Sequence, residues 1–508
     1  MSRPRNVLFL AGDQWRADCL GCMGHPLVQT PRLDRLAAEG TLFRRHFANA
    51  SPCGPSRSCL LTGSYLMTNR AVRNGTPVDR RFTNLALEAR KAGLFASLFG
   101  YTDTGEDPRG RGAADPELQQ YEGVMPGFEA GCRIDESLRP WRAHLLAKGY
   151  PDLPDDHHGM FEPKDGRMGG PSLFRREDSL TAFLADKVID CMRVNRDRGW
   201  LIHATFWHPH PPLRASEPWN SLYDPGDTAQ AASGADPELH PFHAYCLKGG
   251  ADLREYLGSA AAGRELDAEI LAHIRANYYG LISEADHHIG RLLDTLEETG
   301  QAEDTLVVST VDHGEMLGDH GLLGKATLFD PAYHIPLIIR APGQQGGQAV
   351  EALTESVDLM PSILDWLGVP VPAQCDGRSL LPFLAGQTPT DWRQAVFWEH
   401  DFRDVVTRKA ETALGLESRD CNLACLRGER FKYVHFANLP PLLFDLETDP
   451  QETCNLAEDP AYRAVRLEMA EAMLRHRQRH ADQSLTGLAI TTEGLKGDLD
   501  AAGLGRLL

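Results

Sequence analysis

"NVLFLAGDQW", residues 6–15, is an apolar run that ends abruptly in a carboxylate and an amide. From Asn6 to Gly12 the run is nearly continuous rather than alternating, the pattern of a strand covered on both sheet faces. "WLIHATF" (200–206) and "TLVVST" (305–310) repeat the pattern. Each run leads into polar residues: Asp13, then His208 and His210, then Asp312 and His313. Ligands in open α/β sheets gather beyond the carboxyl ends of strands, so three such endings point to one shared site.

Helices alternate with these strands. "TPRLDRLAAEG" (30–40) places Thr30 as an N-cap, Pro31 in the first turn and Gly40 at the end. From Leu266 to Leu296 apolar residues recur at helical spacing, and Gly280 is expected to bend that helix. The segments 103–175 and 208–262 are rich in Pro, Gly and charge. They are too long for ordinary connections and are expected to cover the site or contact another subunit. Beyond about residue 370, "AVFWEH" (395–400) and "RFKYVHF" (430–436) precede a polar helix near 460–480. The expected class is α/β: a mixed, mainly parallel sheet between helices over residues 1–370. A smaller C-terminal α+β subdomain with a terminal extension is expected over 371–508.

The chain has 508 residues, 42% hydrophobic and 24% charged, an ordinary globular composition. A net charge of −19 argues against nucleic acid or an anionic membrane as the bulk partner. A small anionic substrate answers to the local field instead. No stretch approaches the roughly 20 apolar residues that span a bilayer. The first run stops at Asp13 with no small-residue cleavage site, which reads as a buried strand rather than a signal peptide. Eleven cysteines without a framework of spacings read as reduced thiols in a cytoplasmic protein.

"SPCGPSRSCLLTG" (51–63) carries the nucleophile question. Cys53 reads as a packed thiol, as half of a zinc pair with Cys59, or as a nucleophile. The zinc pair lacks a second pair, as does Cys19 with Cys22. A phosphatase-type thiolate would want a longer anion loop than Arg57 four residues on, with Pro55 between, allows. The pattern Cys53-x-Pro55-Ser56-Arg57-x-x-Leu60-x-Thr62-Gly63 resembles the sulfatase signature at every defined position. That resemblance implies an alkaline-phosphatase-like fold. It also implies oxidation of Cys53 to formylglycine by a maturation enzyme, with the hydrated aldehyde as nucleophile. A helix beginning near Ser56 is expected to aim free N–H groups at the anion, with Arg57 adding positive charge. Asp13, Gln14, Asp312 and His313, with the converted Cys53, are expected to hold one divalent ion (Mn²⁺, Ca²⁺ or Mg²⁺), which suits hard oxygens plus one imidazole.

"VDHGEMLGDHGLLGK" (311–325) resembles the family's metal-binding segment and ends in Lys325, expected to assist the leaving oxygen. "VDLMPSILDWLG" (357–368) and "LFDLETDPQETCNLAEDP" (443–460) resemble later landmarks. Two features depart from ordinary sulfatases: Gln14 follows Asp13, and "GYTDTGEDPRG" (100–110) has no lysine. "DQWRAD" (13–18), "RAVRNGTPVD" (70–79), "HPHPP" (208–212) and "EHDFRD" (399–404) resemble the phosphonate monoester hydrolases instead. That branch implies substrate contacts from Asn74 and Tyr101, and His210 as a neutral or cationic donor near the leaving group. Asp103 stands where the branch has a threonine, with Thr104 as substitute. Asp103 repels the substrate, pairs with Arg57 or faces away.

The resulting expectation is a metal-dependent hydrolase of singly charged phosphonate monoesters and phosphodiesters, with arylsulfatase activity, assembled as a homodimer or homotetramer. The alternatives are a dedicated arylsulfatase, a thiol-based phosphatase and a non-catalytic metal-binding protein with unconverted Cys53. His208, His287-His288 and Glu399-His400-Asp401 are expected to be structural or a layer behind the site.

Overall fold

The three runs that end in polar residues lie side by side. In the computed structural model, Asn6–Asp13 has parallel partners on both sides, Trp200–Pro209 and Thr305–Val311. The structure describes residues 6–150, 153–154, 156–228 and 239–497. Parts of the second expected excursion (229–238) and of the terminal extension (498–508) lie outside the described residues.

The large sheet has nine strands. Its order is Thr354–Glu355, Thr41–Phe47, His334–Arg340, Thr305–Val311, Asn6–Asp13, Trp200–Pro209, Phe95–Gly100 and Glu129–Arg133, and Gln348–Val350 also pairs with Thr41–Phe47. Only His334–Arg340 runs antiparallel to its neighbours. The continuous apolar runs have the expected cause. Leu8 and Leu10 face one buried core, beside Ile202 and Val307. Val7 and Phe9 face a second, beside Leu201 and Leu306. Helices Leu180–Val194 and Ala268–Glu298 cover the first face, and Leu85–Lys91 and Leu359–Leu367 the second.

One local expectation is corrected. Thr30 precedes helix Pro31–Glu39 but does not cap it; its hydroxyl accepts the Gly21 N–H and donates to Asp34. The Arg32 and Leu33 N–H groups donate instead to Asp286 at 3.1 and 2.7 Å, so the long helix caps its neighbour. Gly40 ends the helix as expected, at φ −123. Gly280 serves a close approach within the helix Ala268–Glu298: a Cβ there would lie 2.5 Å from the Trp219 carbonyl oxygen.

The smaller sheet runs Leu442–Asp445, Phe431–Phe436, Asn422–Gly428, Ala395–Asp401 and Ala50–Ser51. Its last strand comes from the N-terminal part of the chain and pairs Ser51 with His400. Helix Arg463–Arg479 packs on this sheet through Met473. Leu488–Thr491 and Gly494–Gly497 form a separate hairpin. No described helix is long and apolar enough to cross a membrane, and all eleven cysteines are free.

Candidate active site

Strand register brings the carboxylates together. Gly12 pairs with Val311, so the next residues, Asp13 and Asp312, emerge at the same sheet edge. Cys53 arrives from the other sheet: strand Ala50–Ser51 leads into helix Cys53–Thr62, all ten residues of which are buried. The helix starts at Cys53, three residues before the expected Ser56, because a proline in the first turn removes no intrahelical bond. Its amides do not fan toward an anion as expected. The Gly54 N–H donates to Asn74 Oδ1 at 2.9 Å, Pro55 has none, and Ser56 donates to the Pro52 carbonyl at 3.1 Å.

Asp13, Cys53, Asp312 and His313 offer ligand atoms that all lie within 4.8 Å of one another, all buried. His313 Nδ1 lies 3.0 Å from the Gly314 carbonyl and must donate to it. Its Nε2 therefore turns a lone pair toward Asp13 Oδ1 and Asp312 Oδ2, each 3.7 Å away, and toward Cys53 Sγ at 3.1 Å. Three buried acceptors thus converge, and a cation resolves the repulsion. Oxygen donors with one imidazole fit a hard divalent ion. Gln14, also expected among the ligands, is hydrogen-bonded on every side-chain polar atom. Its Oε1 accepts from Lys325 Nζ, its Nε2 donates to Glu315, and its backbone N–H donates to Asp312 Oδ1 at 3.1 Å.

Arg57 was expected to face the anion, but it is 2% exposed and lies behind the carboxylates. Its Nη2 reaches Asp13 Oδ2 at 2.9 Å, its Nε reaches Asp312 Oδ2 at 3.0 Å, and its Nη1 donates to the Tyr101 carbonyl at 3.2 Å. Buried carboxylates this close need a second cation, and Arg57 is it. Of the three alternatives for Asp103, the structure shows the salt bridge, 3.5 Å from Arg57 Nε. Burial pushes the Asp103 carboxyl up to about 7 against the pull of Arg57. The Tyr101 hydroxyl donates to Asp13 Oδ2 at 2.7 Å. Thr104 does not face the substrate space; its hydroxyl pairs with Thr102 at 2.7 Å, and Thr102 donates to the Gly123 carbonyl.

Above this floor is a cavity of about 310 Å³ that reaches Cys53 and Asp13. Asn74, Tyr101, Asp103, His210 and Lys325 all line it. His210 Nδ1 sits 2.6 Å from the Pro211 carbonyl and donates to it, so Nε2 accepts from Lys325 Nζ at 2.9 Å. Burial and the adjacent Lys325 hold the His210 pKa down at about 3. The imidazole is neutral and an acceptor, and the donor at this wall is Lys325. Sequence reasoning missed Glu315, whose carboxylate also accepts the Leu317 and Gly324 N–H groups and so fixes the loop carrying Lys325. It also missed the wall residues Tyr121, Glu122, Glu136 and Trp207. The first three lie within a long segment without periodicity, and Trp207 is one residue beyond its apolar run.

The remaining candidates lie outside the cavity. His208 is buried against Thr181 at 2.9 Å, and His287 and His288 contact Trp219 on the long helix. Glu399 pairs with Arg477, Asp401 with Arg403, and His400 hydrogen-bonds the Ser51 carbonyl at 3.1 Å, one layer behind Cys53. Cys59 packs among Tyr65, Leu66 and Phe397.

Comparison with known proteins agrees with this geometry. The Sulfatase family profile matches residues 5–369, and that of the N-sulphoglucosamine sulphohydrolase C-terminal region matches residues 318–479. The multifunctional alkaline phosphatase superfamily protein PehA of Trinickia caryophylli is 39% identical over 507 residues, covering 97% of this chain and 98% of that protein. Two solved phosphonate monoester hydrolases, from Agrobacterium radiobacter and Silicibacter pomeroyi, superpose with a TM-score of 0.93 at 43% identity. Each match covers 97% of this chain and 99% of the other. The likeness extends over nearly the whole chain, from the buried Cys53 helix to the smaller sheet, and the protein belongs to the sulfatase family of the alkaline phosphatase superfamily.

Proposed function

We propose that the protein hydrolyses phosphonate monoesters and phosphodiesters, with aryl sulfates as further substrates, using formylglycine formed from Cys53 by a maturation enzyme. The observation that carries the substrate class is the charge of the cavity. Among its described lining residues Lys325 is the one permanently charged cation, against Asp13, Asp103, Glu122, Glu136 and Glu255. One metal group and one lysine match an ester with a single negative charge better than a phosphate monoester, which carries nearly two.

In this reading Cys53 Sγ stands where an oxygen of the hydrated aldehyde would be. That hydrate supplies one oxygen to attack phosphorus or sulfur and a second hydroxyl whose deprotonation releases the product by C–O cleavage. Asp13, Asp312 and His313, with Gln14 beside them, would hold a divalent ion, Mn²⁺, Ca²⁺ or Mg²⁺, whose charge would lower the pKa of the residue 53 hydroxyl. Lys325 Nζ gives its proton to the departing oxygen, and the neutral His210 Nε2 and Gln14 Oε1 hold the ammonium in place. Asn74 and Tyr101 border the space for the non-bridging oxygens, and Arg57 hydrogen-bonds both of the carboxylates that would hold the ion.

A homodimer or homotetramer is supported by the hairpin Leu488–Thr491 with Gly494–Gly497. Two strands alone are marginal in water, and Ile490 on them is 91% exposed. Eleven free thiols support a cytoplasmic setting.

The test is a set of hydrolysis rates for aryl phosphonates, phosphodiesters, sulfates and phosphate monoesters on metal-loaded protein. Conversion at position 53 is verified by peptide mass. Phosphonates and diesters are expected to lead and phosphate monoesters to trail. Sulfates well ahead of both would establish a dedicated arylsulfatase, and an unconverted Cys53 in a host able to convert it would remove the catalytic reading.

A further inference from the structure

Part of the cavity wall is acidic in a way that the proposed reaction does not use. Glu122, Glu136 and Glu255 line the cavity beside Tyr121 and Trp207, and among the described residues none of the three carboxylates has an ion-pair partner. Glu122 points most directly to a ligand. It is 6% exposed; its Oε2 accepts the Glu136 N–H at 2.6 Å, while its Oε1 has no donor among the described residues. Burial without a counter-ion, with Asp103 and Glu136 adding repulsion, pushes its pKa up to about 8. The wall is one unit. A β-bridge between Thr104 and Gly123 sets Asp103 beside Glu122, and the Cβ position of Gly75 lies 3.1 Å from Tyr121 Cβ. The Tyr121 hydroxyl donates to Glu136 Oε1 at 2.8 Å. Lys325 and His210, paired to each other, come from other segments of the chain.

We infer that this acidic wall binds an ammonium group carried by the substituent that stays on phosphorus, so that the preferred esters are zwitterions. The inference rests on the phosphonate and diester reading above. Lys325 serves the departing oxygen, which leaves the Asp103–Glu122–Glu136 wall to the other substituent. An ammonium gives Glu122 Oε1 its missing donor and Glu136 a counter-charge, and the Tyr121 and Trp207 rings favour a cation beside them. The same carboxylates repel a second anionic group on the substrate.

The test compares p-nitrophenyl 2-aminoethylphosphonate with p-nitrophenyl propylphosphonate, which share a leaving group and nearly a shape. On converted, metal-loaded enzyme the amine ester is expected to have a kcat/KM at least about tenfold higher, ~1.4 kcal/mol in the transition state. In Glu122→Gln, which retains an acceptor for the Glu136 N–H, the ratio is expected to fall to within about twofold of unity. Glu136→Gln is expected to lower it part of the way. Equal rates in the parent enzyme, or a preference that persists in Glu122→Gln, overturn the inference while leaving phosphonate hydrolysis intact. No turnover of either ester refutes the underlying reading and the inference with it.

Discussion

Replacing Arg57 by methionine tests how the site carries its charge. The guanidinium lies within 3.0 Å of both Asp13 and Asp312 and 3.5 Å from Asp103, and all four side chains are at most 5% exposed. Methionine fills a similar volume but leaves the carboxylates without their internal counter-ion. Removing one partner from a buried ion pair costs about 3–5 kcal/mol, a factor of roughly 10²–10⁴ in the folded-to-unfolded ratio. A divalent ion on Asp13, Asp312 and His313 would offset part of that loss. Ligand at 100 times its Kd contributes about 2.7 kcal/mol. Urea unfolding of parent and variant, each with chelator and with saturating Mn²⁺, separates the two terms. The variant is expected to lose about 3–5 kcal/mol in chelator and to recover more on adding metal than the parent does. A loss below about 1 kcal/mol in chelator, or an equal metal effect in both proteins, would falsify the assignment of Arg57 as the counter-ion.

Two further outcomes follow from buried contacts. Gly280→Ala gains up to about 1 kcal/mol of helix propensity but forces a methyl to 2.5 Å from the Trp219 carbonyl, so a net loss of about 1–2 kcal/mol is expected in thermal unfolding. Unchanged or higher stability would refute the close approach to Trp219 as that glycine's role. Glu284 is 1% exposed, and burial pushes its carboxyl from 4.5 up to about 7. Because the folded pKa is the higher one, its stabilising contribution is complete below about 4.5 and is lost as pH rises through about 7. Glu284→Gln should therefore match the parent at low pH and exceed it by up to about 3 kcal/mol at pH 8, and a difference independent of pH would refute this.

Much of the site was legible because strand ends and a dense motif mark it. Asp13, Asp312 and His313 each follow a run whose two-sided burial is visible as unbroken hydrophobicity, and the Cys53 signature leaves few readings. The directions of side chains were not legible. Arg57, four positions after the start of a helix expected three residues later, was aimed at the anion when its partners are the carboxylates of Asp13 and Asp312 themselves. Gln14 sits at φ 65, a conformation that no pattern around it announces, and this turns its amide toward Lys325 and Glu315. The acidic wall belongs to a segment without periodicity, where only chain crossings such as the Thr104–Gly123 bridge create proximity.

The two-residue strand Ala50–Ser51 has a consequence for the reaction itself. It fastens Cys53 to the smaller sheet, through Ser51 paired with His400, whereas Asp13 and Asp312 hang from the larger one. The distance from Cys53 to Asp13 and Asp312 therefore spans two sheets, which share one core that holds Leu8 and Ile202 of the larger together with Val396 and Trp398 of the smaller. The final third of the chain acts as one jaw of a vice. A change remote from the cavity that shifts this jaw by a fraction of an ångström is expected to alter the proposed attack.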